Sequence, residues 1–278
     1  MPVRIVQSKQ NSRLKELRRA LAQPGRSPDG LVGVEGPNLV EEALRSGVTI
    51  KCVFAAERMQ DWVEKLNTPP ETELLVVPSD ILVSALTTET PQQVAALVEP
   101  PDWTWAHVLG SGGKIAPLII VVAELQDPGN LGTILRSAEA FGASGVVCLP
   151  GTVSVWNPKA VRASAGSAFR VPVLYTPAAD ALRRLREAGV AILATIASAA
   201  EPADLVDLAS PIALVIGNEG SGVPADIQAQ AHLAVTIPCP GPVESLNAAV
   251  ATSVLLYEAS RQRTARSGGS LDHRGSPR

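Results

Sequence analysis

The sequence predicts an α/β protein whose larger part is built on a parallel sheet. From Pro117 onward, short apolar strands alternate with helical segments, as in a succession of β-α-β units. The strand "LIIVV", residues 118–122, is apolar without interruption, which is typical of a strand covered on both faces. Periodicity alone therefore predicts a doubly wound sheet of the nucleotide-binding kind.

Residues 1–100 predict a smaller α/β domain. The segment "NSRLKELRRALAQ" is typical of an amphipathic helix, because Leu14, Leu17 and Leu21 recur on one helical face. The segment "GLVGVEGPNLVEEALRSGVTIKCVFAAE" then predicts a strand, a turn, a helix and a second strand. We expect Asn38 to cap the start of that helix and Gly47 to end it.

Residues 101–116 predict a linker, because prolines and glycines are frequent there and no hydrophobic period is visible. Its two tryptophans, Trp103 and Trp105, are expected to pack against the protein rather than on a base. Residues 117–264 form the larger domain, with predicted helices at "LGTILRSAEAFGA", "NPKAVRASAGSAF" and "SLNAAVATSVLLYEASRQR". Residues 265–278 predict a disordered tail.

Composition excludes several classes of protein. No apolar run reaches the roughly 20 residues that cross a bilayer, and the opening "MPVRIVQSKQ" lacks the layout of a signal peptide. We therefore expect a cytoplasmic protein with no membrane partner. The cysteines, Cys52, Cys148 and Cys239, are far apart in apolar stretches and form no cluster with histidine. The sequence thus predicts neither a metal site nor a disulfide framework.

Charge is unevenly distributed along the chain. The formal net charge is −3 at pH 7, but the opening segment is basic and the tail after Glu258 is basic again. Such ends can bind phosphates, although charge alone slightly favours plain solvated termini. The candidate phosphate-binding residues of the opening segment are Lys9, Arg13, Lys15, Arg18 and Arg19.

The segment "DPGNLGTILRSAEAFG" opens a helix soon after the apolar strand. Its first two glycines, Gly129 and Gly132, do not have the GxGxxG spacing, and no acidic residue ends the following strand. A nicotinamide-binding fingerprint is therefore disfavoured. The segment offers Asn130 and Arg136 instead, which taken alone are also ordinary as a turn residue and an exposed helix residue.

Two later segments also follow apolar strands. "LVIGNEGSGVP" surrounds Glu219 with three glycines, which suits a backbone that closely approaches a ligand. "IPCPGPVESLNAAV" is made rigid by three prolines before a helix rich in small residues opens near Ser245 and Asn247. The plain alternatives are an ordinary turn for the first segment and an alanine-rich packing helix for the second. We expect Ser245 to cap that helix under either interpretation.

In order and spacing, "DPGNLGTILRSAEAFG", "IGNEGSGVP" and "IPCPGPVESLNAAVATSVLLYE" resemble the three signature motifs of the SpoU-type (TrmH-type) RNA 2′-O-ribose methyltransferases of the SPOUT class. The resemblance covers about residues 118–263. The segments "SKQNSRLKEL" and "GLVGVEGPNLVEEALRSGV" are similar to the L30e-like domain with which many of these enzymes bind substrate.

This resemblance implies a fold that periodicity does not show. It implies a SPOUT-type parallel sheet with a C-terminal trefoil knot in residues 117–264, and an L30e-like RNA-binding domain in residues 1–100. It also implies an obligate homodimer with the active site at the subunit interface, S-adenosylmethionine as the cofactor, and no metal.

The resemblance also assigns roles to residues. Arg136 would lie nearest the reacting hydroxyl, and because a guanidinium stays protonated near neutral pH, we expect it to stabilise an alkoxide rather than act as a base. Glu219 could hold Arg136 in a bidentate pair. The implied catalytic set is Arg136, Asn130, Glu219, Ser245 and Asn247. The implied cofactor-binding set is Thr195, Gly217, Asn218, Gly220, Ile237, Pro238 and Leu246.

The predicted function is S-adenosylmethionine-dependent 2′-O-methylation of RNA, with ribosomal RNA favoured. An RNA partner gives weight to the basic opening segment. It also makes Arg162 and Arg170, which flank "ASAGSAF", candidates for phosphate contacts, a plain surface helix being an equally good interpretation. The alternatives are a transfer RNA 2′-O-methyltransferase, a non-catalytic RNA-binding protein of the same fold, and a nucleotide-dependent oxidoreductase.

Overall fold

The computed structural model describes residues 3–22, 26–110, 116–197, 200–243 and 245–268. The chain forms two compact units. The first is Met1–Asp102 with Ser154–Arg170, and the second is Trp103–Val153 with Val171–Arg278. Residues 154–170 lie within the range predicted for the larger domain but pack with the first unit. The predicted boundaries at residues 100, 116 and 264 stay predictions.

The first unit contains a mixed sheet. Its elements up to Asp102 are β1 (Arg4–Ile5), α1 (Ser12–Ala22), β2 (Val32–Glu35), α2 (Pro37–Arg45), β3 (Ile50–Ala56), α3 (Gln60–Lys65), β4 (Glu73–Val77), α4 (Ser79–Val83) and β5 (Val94–Val98). The strand order is β1-β4-β3-β5-β2, in which β5 runs antiparallel to both of its neighbours. Leu14, Leu17 and Leu21 are buried in the core of this unit, which confirms the predicted face of α1.

The start of α2 differs from the prediction. Gly36, and not Asn38, is the N-cap residue. Pro37 takes the first helical position, where its fixed φ fits and its missing N–H is not needed. The prediction that Gly47 ends α2 is confirmed, because Gly47 has a left-handed φ of 70° just after the helix.

The second unit contains a seven-stranded parallel sheet. The remaining elements in chain order are α5 (Trp105–Val108), β6 (Leu118–Val122), α6 (Pro128–Ala140), β7 (Gly145–Cys148), α7 (Pro158–Ala163, in the first unit), β8 (Val173–Tyr175), α8 (Ala178–Glu187), β9 (Ala191–Thr195), β10 (Glu201–Pro202), β11 (Ile212–Ile216), α9 (Ala225–Gln228), β12 (Leu233–Thr236) and α10 (Ala248–Arg266). The order is β10-β12-β9-β11-β6-β7-β8, and every pairing is parallel. The predicted α/β fold with a parallel sheet is confirmed, and the trefoil knot stays a prediction.

The segment predicted as a linker contains α5. Trp103 packs edge-to-face on His107 with ring centres 5.3 Å apart, and the Arg184 guanidinium lies 5.6 Å from the ring centre of Trp105. Both tryptophans thus pack within the protein, as predicted. Residues 111–115 of this segment lie outside the described residues. Of the tail predicted over residues 265–278, residues 265 and 266 are the end of α10 instead, and the part from residue 269 onward lies outside the described residues.

Helix α7 is shorter than the predicted segment "NPKAVRASAGSAF". It ends at Ala163, because Ala165 and Gly166 have left-handed φ values of 48° and 92°. A separate 3-10 turn follows at Ser167–Phe169. A side chain at Gly166 would also meet Glu42 at 2.9 Å, so glycine suits the turn on two grounds.

Helix α10 is fixed to the amino ends of two central strands by Arg263. Its guanidinium donates to the backbone carbonyl oxygens of Pro117 at 3.0 Å, Ser210 at 2.9 Å and Leu208 at 3.3 Å, and also to that of Ala116. Burial lowers the pKa of Arg263 from its usual value. Because α10 carries the third motif at its start, this anchor fixes the helix that begins at the candidate site.

Candidate active site

A cavity of about 500 Å³ lies at the carboxyl edge of the parallel sheet. Strands β9, β11 and β12 reach it, and the loops that follow them line it. Open α/β sheets bind ligands at this edge, where the order of strands reverses. The predicted cofactor-binding residues all line the cavity, and their role in binding stays a prediction: Thr195, Gly217, Asn218, Gly220, Ile237, Pro238 and Leu246.

The loop Gly217–Gly222, here the glycine loop, folds back on itself. Asn218 N–H donates to the carbonyl of Gly222 at 3.1 Å, and Gly222 N–H donates to the carbonyl of Asn218 at 2.9 Å. A Cβ atom at Gly217 would lie 2.0 Å from the Gly222 carbonyl carbon and 2.2 Å from the Val223 nitrogen. Only glycine fits at position 217, because backbone atoms occupy the space of any side chain.

Three polar side chains from the three motifs form a chain of hydrogen bonds, here the amide chain. Asn130 donates from Nδ2 to Glu219 Oε1 at 2.7 Å, and Asn247 donates from Nδ2 to Asn130 Oδ1 at 3.1 Å. Asn247 Oδ1 in turn accepts from the backbone N–H groups of Ala249 and Val250 at 2.9 and 3.3 Å. The bond to Glu219 thus fixes the side-chain amide of Asn130, and the bonds to the start of α10 fix that of Asn247.

The helix starts explain how the sequence builds this chain. Asp127 caps α6 by accepting from the Asn130 N–H at 2.8 Å, so Asn130 lies in the first turn with its side chain free to turn outward. Asn247 is the N-cap residue of α10, and the expectation that Ser245 caps this helix is wrong. Ser245 is exposed and lines the cavity.

Arg136 lies on the exposed surface of α6 and is not among the residues that line the cavity. Within the described residues it has no hydrogen bond or ion pair, so the expected pair with Glu219 is not present in the single chain. Arg136 lies six positions after Asn130, which corresponds to about 9 Å along the helix and a different helical face. Glu219 binds Asn130 instead, because Asn130 lies at the end of α6 that meets the glycine loop.

The basic residues of the first unit differ in their partners. Arg13 binds Glu73 at 2.5 Å and Glu16 at 3.1 Å, and the bond to Glu73 is the main reason that its pKa is raised. Arg18 donates to the Lys9 carbonyl at 3.3 Å and to a serine hydroxyl at 3.2 Å. The side chains of Lys9, Lys15 and Arg19 are exposed and form no ion pair with any described residue.

The two arginines near "ASAGSAF" also differ. Arg170 donates to Glu42 at 2.8 Å and to Ser46 at 2.9 Å. Arg162 is exposed at the end of α7. The contacts of Arg170 lie within the first unit and fix the 154–170 segment to α2, which sequence inspection did not predict.

Sequence inspection missed several residues that line the cavity, including Ile196, Thr236, Cys239 and Val243. Their position in the sequence could have identified them, because each lies at or just after the end of a parallel strand or in the proline-rich loop. In the described part of the chain, no group of three or more His, Cys, Asp or Glu side chains could hold a metal ion. No helix among the described residues has the length and hydropathy needed to cross a bilayer.

The model of the SpoU rRNA methylase family matches residues 117–257 of this chain. The chain belongs to the SpoU rRNA methylase family. Residues 11–96 match a second model, the MRM3-like substrate binding domain. The resemblance drawn from the three motifs is therefore confirmed, and with it the predicted class of enzyme, an RNA 2′-O-ribose methyltransferase that uses S-adenosylmethionine.

Relatives match this family member over nearly its full length. The 23S rRNA (guanosine(2553)-2′-O)-methyltransferase RlmP of Bacillus subtilis is 31% identical over 254 residues, which cover 91% of this chain and 97% of RlmP. An uncharacterized tRNA/rRNA methyltransferase of Synechocystis is 34% identical over 272 residues, which cover 94% and 95% of the two chains.

Solved structures of RNA methyltransferases resemble this chain over nearly its full length. The SpoU methyltransferase AviRb of Streptomyces viridochromogenes in complex with AdoMet superposes with a TM-score of 0.80 at 28% identity, and the match covers 94% of this chain and all of AviRb. An AdoMet-bound rRNA methyltransferase of Sinorhizobium meliloti superposes with a TM-score of 0.79 at 30% identity, with 93% and 98% of the chains covered.

The cavity has the character that S-adenosylmethionine requires. Its volume is in the range of small-molecule sites. Backbone of the glycine loop and apolar side chains such as Ile216, Val235 and Leu255 make up much of the lining, which suits an adenine ring and a thioether. Among the described residues that line it, Glu219 alone carries a formal charge.

Proposed function

We propose that this family member methylates a ribose 2′-hydroxyl of ribosomal RNA as a homodimer, with the cofactor held in the carboxyl-edge cavity. The observation that carries the proposal is the meeting of all three motifs at one place. The glycine loop and the proline-rich loop line the cavity, and the amide chain of Glu219, Asn130 and Asn247 connects them to the start of α6.

S-Adenosylmethionine supplies a methyl group on a sulfonium, whose leaving group is a neutral thioether. The protein must then orient the ribose hydroxyl, whose proton passes to water, and stabilise the negative charge that develops on its oxygen. The amide chain presents fixed polar groups beside the cavity, because each amide is already oriented by a partner. Ser245, which lines the cavity, and Asn247, two residues later at the start of α10, are the proposed contacts of the target nucleotide.

Arg136 is proposed to stabilise the alkoxide. A guanidinium is a cation that carries its N–H donors in a planar fork. Because it lies outside the cavity of its own chain, we propose that it reaches an active site formed at the interface between two subunits. In this arrangement the negative charge of the developing alkoxide faces Arg136, a cation that has no partner among the described residues of the single chain.

The surface of α10 supports the homodimer. Val250, Val254 and Tyr257 recur at helical spacing and are 50%, 40% and 51% exposed. Phe141, just after α6, packs edge-to-face on Tyr257, and Ser137 of α6 shares a hydrogen bond of 2.7 Å with Ser253. An apolar stripe on the helix beside Arg136 is the surface that a second copy would cover.

The first unit is proposed to bind the RNA through its exposed cations, whereas Arg13 and Arg170 are held in ion pairs within the unit. The proposed contacts are Lys9, Lys15, Arg19 and Arg162. Its match to a substrate-binding domain and the name of the relative RlmP favour ribosomal RNA. The trefoil knot and a cytoplasmic location are further parts of the proposal, supported by family membership and by where ribosomal RNA is found. Transfer RNA is the second candidate substrate, since other relatives are named tRNA/rRNA methyltransferases.

The test is transfer of a tritiated methyl group from S-adenosylmethionine to purified ribosomal RNA and transfer RNA, with a chelator present. We expect label in ribosomal RNA, at a nucleotide resistant to alkaline cleavage, as a 2′-O-methyl group requires. Label only in transfer RNA would change the substrate, and label in neither, with the cofactor bound, would contradict the proposed function. Light scattering of the same protein checks the dimer.

A further inference from the structure

Glu124 has a backbone conformation that its residue type disfavours. It follows β6 and Ala123, and its φ is +58°, in the left-handed region that residues with a Cβ atom rarely occupy. Among the described residues, two other non-glycine residues share this property, Gln93 and Ala165. Such a conformation persists when the surrounding structure holds it, and it occurs often at functional sites.

The chain on both sides of Glu124 is fixed. Ala123 N–H donates to the carbonyl of Ile216 at 2.8 Å, and the carbonyl of Leu125 accepts from Val153 N–H at 2.8 Å. The side chains of Ala123 and Leu125 are fully buried. Glu124 therefore cannot relax to an extended conformation without disrupting buried packing on one side.

The conformation directs the Glu124 carbonyl to the glycine loop. This carbonyl accepts from Asn218 Nδ2 at 2.8 Å. Asn218 Oδ1 accepts from the backbone N–H groups of Gly220 at 2.8 Å and Ser221 at 3.3 Å. The bond from Nδ2 thus decides which way the amide faces, and so keeps its oxygen on the two N–H groups of the loop.

We propose that Glu124 is a positioning residue for the cofactor site, acting through its left-handed backbone and the bond from Asn218. Gly217, Asn218 and Gly220 line the cavity, and Glu219 between them orients Asn130. One hydrogen bond therefore joins the end of β6 to the cofactor cavity and to the amide chain. The proposal rests on the proposed function only in taking S-adenosylmethionine as the ligand.

The positioning role belongs to the backbone of Glu124 and not to its carboxylate. The side chain is exposed, and no hydrogen bond or ion pair joins its carboxylate to any described residue. Position 124 therefore requires a backbone that accepts positive φ. Glycine meets that requirement without strain, whereas a β-branched residue does not.

The experiment is calorimetric titration of full-length variants with S-adenosylmethionine. We expect Glu124→Val to weaken binding by about tenfold, because valine opposes the left-handed backbone. Glu124→Gly should bind S-adenosylmethionine as tightly as the unaltered protein does. Asn218→Ser, which retains a short oxygen acceptor for the loop but cannot reach Glu124, should weaken binding to a similar extent. The double variant should be no weaker than the single ones, since both break the same hydrogen bond.

A matched control separates this role from general strain. Ala165 is also left-handed, with a φ of 48°, but belongs to the first unit. Ala165→Val should lower the melting temperature without changing cofactor affinity. In methylation assays, Glu124→Val should raise KM for S-adenosylmethionine much more than it lowers kcat at saturating cofactor.

Three outcomes would overturn the proposal: normal affinity in Glu124→Val, fully additive effects of Glu124→Val and Asn218→Ser, or a Glu124→Gly variant as weak as the valine variant. If Glu124→Val does not fold, the glycine and serine variants still decide the outcome. Absence of cofactor binding in the unaltered protein would contradict the proposed function instead, so the two failures are distinguishable.

Discussion

The polar side chains at the carboxyl-edge cavity and those on helix α1 differ in what they bind. At the cavity, Glu219, Asn130 and Asn247 bind one another, while Arg136 on the neighbouring helix surface has no partner within the described residues. On α1, Arg13 is held in ion pairs with its own domain. A guanidinium that already binds carboxylates has little left to offer a ligand, because its donors are occupied and its charge is compensated.

This difference suggests a rule for the basic residues of the chain. Those with internal partners, such as Arg13 and Arg170, should matter for stability. Those without described partners, such as Arg136, Lys15 and Arg19, should matter for RNA or for the reaction.

Arg136→Ala should reduce single-turnover methylation at saturating RNA by about 10²–10³-fold, which is the usual cost of losing one preorganised donor to a developing charge. Cofactor affinity should stay near that of the unaltered protein, because Arg136 does not line the cavity. Arg136→Lys should recover little, since an ammonium cannot copy the guanidinium fork.

Two results would reassign Arg136. A near-normal single-turnover rate would contradict a role in the reaction, and weaker RNA binding with a normal rate would make it a phosphate contact. Arg13→Gln is the matched control, since it removes an arginine that is already bound. We expect it to lower the melting temperature and leave the rate unchanged.

Gly217→Ala should weaken binding of S-adenosylmethionine by about 100-fold or more, equivalent to ~2.7 kcal/mol. The added Cβ would lie 2.0 Å from backbone, so the glycine loop would have to open. Gly220→Ala is the comparison variant, because a Cβ there meets its nearest atom at an ordinary 3.5 Å. Calorimetry on both variants measures the difference, and equal losses of affinity would show that the close approach at Gly217 is not what forms the site.

Local sequence signals predicted the elements that build this site. The apolar runs predicted the strands β6 and β11, and the glycines and prolines predicted the loops after them, because these signals act within a few residues. Asn130, Glu219 and Asn247 were predicted as a set through the family resemblance. Their mutual hydrogen bonds were not, because those bonds join segments about 90 to 120 residues apart in sequence.

Other features depend on partners that no local pattern reveals. The left-handed turn at Ala165 and Gly166 ended α7 early, although the sequence continued a helical pattern. The segment 154–170 packs with the first unit through Arg170 and Glu42, whose separation in sequence is 128 residues. Gly36 replaced Asn38 as the cap of α2 because the proline between them fixes where that helix begins.

Removing the free cations of α1 should weaken RNA binding moderately. Lys15→Ala with Arg19→Ala should lower the dependence of log Kd on log salt by about one unit for each phosphate that these side chains no longer neutralise. Arg13→Gln with Arg18→Gln, which removes two bound arginines, should leave the salt dependence almost unchanged. Filter binding from low to high salt measures both slopes.

Equal slopes for the two double variants would contradict the division between bound and free cations. Substitution is preferable to deletion of residues 1–105 for this purpose. The segment 154–170 packs with the first unit, and its Ala168 and Phe169 are buried, so deletion would expose them. A truncated chain would then bind RNA less tightly for reasons unrelated to charge.

The smallest expected effect is a change in the reactivity of one thiol. Cys239 is exposed and lines the cavity, whereas Cys52 and Cys148 are buried. Burial raises the pKa of Cys148 to about 12 and also raises that of Cys52, so neither forms a useful amount of thiolate at pH 8. Iodoacetamide should therefore label Cys239 alone in the folded protein.

Saturating S-adenosylmethionine should slow that labelling several-fold, because the ligand would cover the Pro238–Cys239 segment of the proline-rich loop. Mass spectrometry of peptides sampled over time measures the rate, and Cys239→Ser is the control for labelling elsewhere. Protection at Cys239 without a change at Cys148 would report cover of the cavity, since opening of the sheet would expose Cys148 as well. An unchanged rate at Cys239 under saturating cofactor would place the ligand away from this loop and remove Ile237 and Pro238 from the binding set.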